Sequence, residues 1–169
     1  MKDYAGATTL ATILPGAVFG PVLSTDNVGT ARVIGRLLQG RMPGIPRLAF
    51  EILDVRDLAD VHIRAMSCEQ AAGQRFIAVS EFMWMADIAQ TLRTKLGSSA
   101  RKVPTRALPD FVLRFLARFD AETRAIAPGL GQKNRHTSEK AQRVLGWQPR
   151  PAAETVVECA ESLIAQSAV

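Results

Sequence analysis

Residues 48–66 read LAFEILDVRDLADVHIRAM, and the way the apolar residues are spaced in this stretch decides the fold. Its first part, 48–55, is rich in apolar and β-branched residues, which suits a strand. The spacing then changes, because Leu58, Val61, Ala65 and Met66 recur at helical intervals and are expected to face inward. Asp57 is read as the cap of this helix. With Asp60 it also places negative charge in a first turn, where exposed N–H groups favour it. A strand that passes directly into a helix is the repeating unit of α/β architecture.

The same alternation extends in both directions. Upstream, the run at 8–14 is short, β-branched and apolar, and Pro15-Gly16 stops it, as expected of a buried parallel strand. Ser24, Thr25, Asp26 and Asn27 offer caps for a helix carrying Val33, Ile34, Leu37 and Leu38, with Gly40 at its end. Downstream, 75–79 is a short strand, and Met85, Ile88, Leu92 and Leu96 mark a helix closed by Gly97. The character then changes. Pro109 sits at a helix start, and Phe111, Val112, Phe115, Leu116 and Phe119 form an apolar stripe expected to cover a core or a ligand pocket. Thr137 caps a helix with Ala141, Val144 and Leu145, which ends at Gly146-Trp147. A last helix carries Val156, Cys159, Leu163 and Ile164.

With 169 residues, 47% of them hydrophobic and 22% charged, the chain suits one globular unit able to bury a core. It contains no apolar run of membrane-spanning length, and MKDYAGATTL lacks the features of a secretory signal, so a cytoplasmic protein without membrane contact is expected. The formal charge of +5 raises the question of nucleic acid. Its sources are dispersed: Arg32, Arg36 and Arg41 on one helix, Arg101, Lys102 and Arg106 around Pro104, then Arg114, Arg118 and Arg124. Few aromatic residues lie among them for base stacking. Solvated faces or a pocket for an anionic ligand explain them better, and no nucleic-acid partner is expected. Cys68 and Cys159 sit in apolar helical patterns without metal spacing and read as free thiols.

Residues able to do acid–base or nucleophilic chemistry are sparse. His62, four residues after Leu58, reads as a satisfied, partly buried side chain, and His136 as a loop or pocket-rim residue. No GxSxG surrounds a serine, and Ser80 has no neighbouring signature. Asp54, Asp57 and Asp60 resemble paired carboxylates, but Asp57 and Asp60 suit the first turn of a helix, and capping is the stronger reading. Gly129-Leu130-Gly131 follows no strand, and neither Gly16 nor Gly20 leads into the Lys-Ser/Thr of a phosphate loop. These glycines instead permit tight turns or close approach of backbone to a flat ligand.

Three segments together resemble the extended short-chain dehydrogenases/reductases, in the branch similar to dihydroflavonol reductases and NAD-dependent epimerases/dehydratases. They are TTLATILPGAVFGPVLS at 8–24, EILDVRDLADVHIRAM at 51–66 and SEKAQRVLGWQPRP at 138–151, in the family's order and at compatible spacing. The resemblance implies the carboxyl-terminal half of a Rossmann-type α/β fold: the last strands of a parallel sheet plus a mainly helical substrate-binding lobe. Residues 1–169 would form a single unit, with 1–24 and 75–97 as late sheet elements and 25–74 and 98–169 as the lobe. It further implies NAD or NADP as cofactor, with Pro15, Gly16, Ala17 and Val18 bordering it, and a small-molecule substrate lined by Phe19, Ser24, Thr25 and Asn27. In the family the amino-terminal half carries the Gly-rich pyrophosphate turn and a Tyr-x-x-x-Lys pair. Here the one tyrosine is Tyr4, and Thr8 stands where that lysine would fall. No catalytic residue is therefore assigned, and Met1 is either an internal methionine or the start of a truncated gene. The segment is expected to shape a carbonyl or alcohol substrate pocket of an oxidoreductase, inactive alone, and to form a homo-oligomer or dock to a separate amino-terminal half. The alternative is a non-catalytic ligand-binding or protein-interaction module derived from that fold.

Overall fold

A computed structural model describes residues 8–24, 29–133, 135–167 and 169. Its first elements are β1 (Thr12–Pro15) and β2 (Ala17–Phe19), separated only by Gly16. After a 3-10 turn at Gly29–Ala31 come α1 (Arg32–Leu38), β3 (Ile45–Pro46), β4 (Ala49–Asp54) and α2 (Val55–Ser67). Then follow β5 (Arg75–Ala78), β6 (Phe82–Trp84), α3 (Met85–Leu96), β7 (Ala107–Leu108), α4 (Asp110–Leu116) and α5 (Ala121–Ile126). The chain ends with α6 (Glu139–Leu145) and α7 (Ala152–Ala165). The fold is α/β, as the alternation of periods implied.

The strands do not form one flat sheet. β1 pairs in parallel with β5, Thr12 opposite Arg75 and Pro15 opposite Ala78. β2 instead pairs in parallel with β4, which runs antiparallel to β6. The two extended runs 12–19 and 75–84 thus begin as partners and part at Gly16 and Val79, where β4 enters between them. Gly16 N–H still reaches Ala78 O at 3.0 Å, while Ser80 N–H already reaches Ile52 O at 2.7 Å. β3 and β7 form a separate short parallel pair.

Adjacent residues of β4 feed opposite layers, as the two-residue period of a strand requires. Ile52 belongs to a core built from Ile34 and Leu37 of α1, Ile88 and Leu92 of α3, and Val156, Cys159 and Leu163 of α7. Leu53 belongs to a second core with Val61 of α2, Phe76 of β5, Leu145 of α6 and Trp147. Gly146, at φ +61°, ends α6 in the left-handed conformation that favours glycine. The turn swings Trp147 to 0% exposure, where its indole N–H donates to Asp57 O at 3.0 Å.

Several sequence expectations shift. The first strand starts at Thr12, not at 8; it does end at Pro15-Gly16, but the chain stays extended and a new strand with another partner begins at Ala17. The cap of α2 is Asp54, whose carboxylate accepts from Arg56 N–H, and Asp57 lies within the first turn. Met66, expected inside, is 88% exposed, and His62 is exposed with its Nδ1 2.7 Å from Leu58 O. α1 has no side-chain cap, so Ser24 does not cap it, and Arg41 falls beyond its end. Thr25, Asp26 and Asn27 lie outside the described residues. The α4 stripe is largely in solvent: Phe111 is 73% and Phe119 77% exposed, while the helix buries Leu113. α4 is too short to hold that many rings against a core, and it turns its one buried leucine inward. The N-cap position of α6 is Ser138, not Thr137, although Thr137 Oγ1 accepts from Glu139 N–H at 3.2 Å.

Candidate functional site

Ligands of open α/β sheets sit beyond the carboxyl ends of the parallel strands, where the strand arrangement changes. Here that place is the parting of β1 and β5. The approach of β4 there is so close that a β-carbon on Gly16 would stand 2.3 Å from Glu51 O and 3.0 Å from Val79 Cγ1. A cavity of about 220 Å³ opens beside it, bounded by Gly16, Ala17, Leu48, Glu51, Phe82 and Gln132. Glu51 fixes one wall. Its carboxylate accepts from the His136 N–H at 2.6 Å and lies 2.6 Å from His136 Nδ1, which pins the loop before α6 to β4.

The residues expected at the site fall in two places. Gly16 and Ala17 border the cavity just described, with Pro15 exposed at the end of β1. Val18, Phe19 and Ser24 border a second cavity, of about 560 Å³, with Gly20, Pro21 and Val55. Phe19 itself is 2% exposed and meets Phe50 edge-to-face at 5.8 Å, so its ring is mostly part of the core. Thr25 and Asn27 are outside the described residues.

A third and larger cleft, of about 790 Å³, lies between the β3–β7 pair, the start of α3 and the start of α4. Leu48 borders both this cleft and the Gly16 cavity. Between the two runs a row of stacked groups: the Arg47 guanidinium over Trp84 at 5.9 Å, Trp84 edge-on to Phe82 at 5.1 Å, and Lys133 over Phe82 at 5.5 Å. Sequence reasoning missed Arg47, Phe82 and Trp84. Their signal was the alternation in Phe82-Met83-Trp84, which puts two aromatic rings on one face of a strand.

The acidic residues of the 48–66 stretch hold the architecture. Asp54, fully buried, accepts from Arg56 Nε at 2.8 Å and Nη2 at 2.7 Å, and Arg56 also pairs with Glu158 of α7. Burial pushes the Asp54 carboxyl up, but the hydrogen bonds and charge of Arg56 outweigh it and hold the group below the usual range. The Asp54 carboxylate in turn raises Arg56. Asp57 accepts from the Arg150 N–H at 2.7 Å and pairs with its guanidinium. Glu81 accepts from Ala152 N–H at 3.0 Å, at the start of α7. Asp60 pairs with Arg64 at 2.7 Å on the helix surface. No group of three His, Cys, Asp or Glu among the described residues is placed to hold a metal ion. Cys159 is a buried thiol, pushed up by burial, and Cys68 is partly buried. Among the described residues no helix is long and apolar enough to cross a membrane.

The fold is that of about half of the chain in several solved reductases and an epimerase. Methylglyoxal/isovaleraldehyde reductase Gre2 of yeast, solved with NADPH, matches 95% of the chain at TM-score 0.71 and 22% identity, over 48% of its own length. A nucleoside-diphosphate-sugar epimerase from Pseudomonas aeruginosa matches 91% of the chain at TM-score 0.71 and 20% identity, over 47% of its length. Among curated proteins, the ketoreductase azaE of Aspergillus niger is 27% identical across 94% of the chain and 44% of its own length. The chain therefore spans about half the length of the relatives it matches. No family model matches it.

Proposed function

We propose that these residues form the substrate-side portion of an NAD(P)-dependent oxidoreductase of the extended short-chain family, in its dihydroflavonol-reductase-like and epimerase/dehydratase branch. The observation that carries this reading is the Gly16 cavity, set where the carboxyl ends of β1 and β5 part around β4. Pro15, Gly16, Ala17 and Val18 border the nicotinamide end of the cofactor, and only that end fits the residues present. The bare α-carbon of Gly16 keeps the chain close to β4, and no Gly-rich turn that could cradle a pyrophosphate occurs in this sequence.

The cofactor, when bound, supplies or accepts hydride at a carbonyl or alcohol carbon. The chain's own part is to hold that carbon in place and keep water from it. Gly16, Leu48 and Phe82 give the cavity apolar walls, and the Glu51–His136 contact keeps the adjoining loop in position. Phe19 underlies the neighbouring cavity, which Ser24 also borders, and this is the remaining substrate contact. The proton-transfer pair of the family is not among these residues, so no catalytic residue is assigned. The site of action is cytoplasmic, and the partner is a separately folded half bearing the Gly-rich turn or a second copy of the chain.

The test is NADPH oxidation with a panel of aldehydes and ketones, first by these 169 residues alone and then fused behind the amino-terminal half of the Aspergillus niger ketoreductase. Turnover by the fusion and none by the chain alone is expected. Turnover by the chain alone overturns the proposal. A second reading, a non-catalytic module for partner binding, is favoured by the exposed rings of α4 and the turn after it, where Phe111, Phe115 and Phe119 stand in solvent.

A further inference from the structure

We propose that the cleft of about 790 Å³ binds the body of a ring-containing apolar compound with one anionic group, and that Arg47 is the partner of that group. The inference rests on the reading above, because Leu48 joins this cleft to the Gly16 cavity and a molecule lying in the cleft would extend one end toward it.

The lining decides the ligand's character. Its floor is the short β3–β7 pair, with Ile45, Pro46 and Leu108. Trp84 and Phe111 line it as well. Phe111 leaves 73% of its surface in water, an arrangement that an apolar guest in the cleft would relieve. The volume is within the range of sites that enclose most of a small molecule, roughly 300–1,000 Å³.

Most polar groups around the cleft are already committed. Asp87 accepts from the Trp84 N–H at 3.3 Å at the start of α3. Arg93 donates to Gln90 Oε1 at 2.7 Å and to Pro104 O. Asp110 opens α4, where the free N–H groups of the first turn favour its charge. Arg47 remains. Its guanidinium is stacked 5.9 Å from the Trp84 ring centre and forms no ion pair or hydrogen bond among the described residues. Its backbone is held, since Arg47 O accepts from Gly131 N–H at 2.8 Å. A planar fork of N–H donors, oriented by a ring and rooted in fixed backbone, suits a carboxylate, sulfonate or phosphate.

The test uses anilinonaphthalene sulfonate, a fluorescent dye with an apolar ring body and one anionic group, and phenylnaphthylamine, which has the same rings without the charge. Titrating the 169-residue chain is expected to show saturable binding of one dye per chain. Arg47→Gln is expected to weaken the sulfonate dye about tenfold, the worth of a charge-assisted hydrogen bond, and to leave the neutral dye unchanged. Phe111→Ser is expected to weaken both, and Phe119→Ser neither. Circular dichroism of each variant checks that the fold is kept, and Arg47 and Phe119 are exposed enough to replace without disturbing the core. An unchanged affinity in Arg47→Gln overturns the proposal, as does loss of binding in Phe119→Ser, which would put the dye at the exposed turn after α4. The assay contains no NADPH, so a failure here leaves the oxidoreductase reading standing, and a failed turnover assay leaves this one.

Discussion

Replacing Asp54 tests how the 48–66 stretch holds the two cores together. Asp54→Ala removes the cap of α2, a loss of about 1 kcal/mol. It also removes the two-point contact with Arg56. Hydrogen bonds to charged groups are worth roughly 1.5–3 kcal/mol when both partners are dry. The Arg56 side chain is 39% exposed and keeps Glu158, so the lower end applies. The total is roughly 2–3 kcal/mol, or about 4–12 °C in melting temperature for a chain of this size. Asp54→Asn keeps an acceptor for the α2 cap and loses only the charge, so about half that cost is expected. The effect also has a pH signature. The folded Asp54 pKa is depressed, so its stabilisation is fully present above the unfolded value, about 4, and is lost as pH falls through the lower folded value. The gap between wild type and Asp54→Asn in urea denaturation, followed by circular dichroism, should hold from pH 7 to about pH 4 and then close. A melting shift below about 2 °C for Asp54→Ala, or a gap that widens in acid, refutes this reasoning.

Other perturbations report on neighbouring features. Gly16→Ala drives a β-carbon against Glu51 O, and a loss of at least about 2 kcal/mol by urea denaturation is expected; a neutral result would show that β4 does not approach so closely. Trp147→Phe keeps most of the ring and removes the donor to Asp57 O, costing about 1–2 kcal/mol, while Trp147→Ala costs about 3–5 kcal/mol and should show by thermal melting. Among the described residues β1 has a ladder partner on one side, β5, with Leu10 and Leu14 exposed beside it, so sedimentation velocity is expected to show concentration-dependent self-association. A stable, monodisperse monomer would contradict that.

The elements legible in the sequence were those whose order is local. The strand-to-helix change within 48–66, the Met85 to Leu96 periodicity and the Gly146 turn each lie within a few residues of their cause, and each appears near its expected place. Features that depend on distant partners were not legible. Asp57 reads locally as a cap, but its carboxylate is held by Arg150, far along the chain. The Pro15-Gly16 stop is where β1 ends, but the second strand right after it was not legible, because the arrival of β4 leaves no mark on residues 8–24. The α4 stripe has helical spacing, yet periodicity does not tell an interior face from one left in water. At the candidate site, Gly16 and Ala17 were expected from the family resemblance and not from local pattern, and Glu51 meets His136 and Phe82 stacks beside Trp84 only after folding.

The most direct test of the substrate-side assignment is a titration of the 169-residue chain with NADPH, watched through the fluorescence of the nicotinamide. With only the nicotinamide end of the cofactor contacted, no saturation is expected up to about 1 mM, a binding free energy weaker than about −4 kcal/mol. Saturation near about 1 μM would show that these residues carry a complete cofactor site, and would contradict their assignment to the substrate side alone.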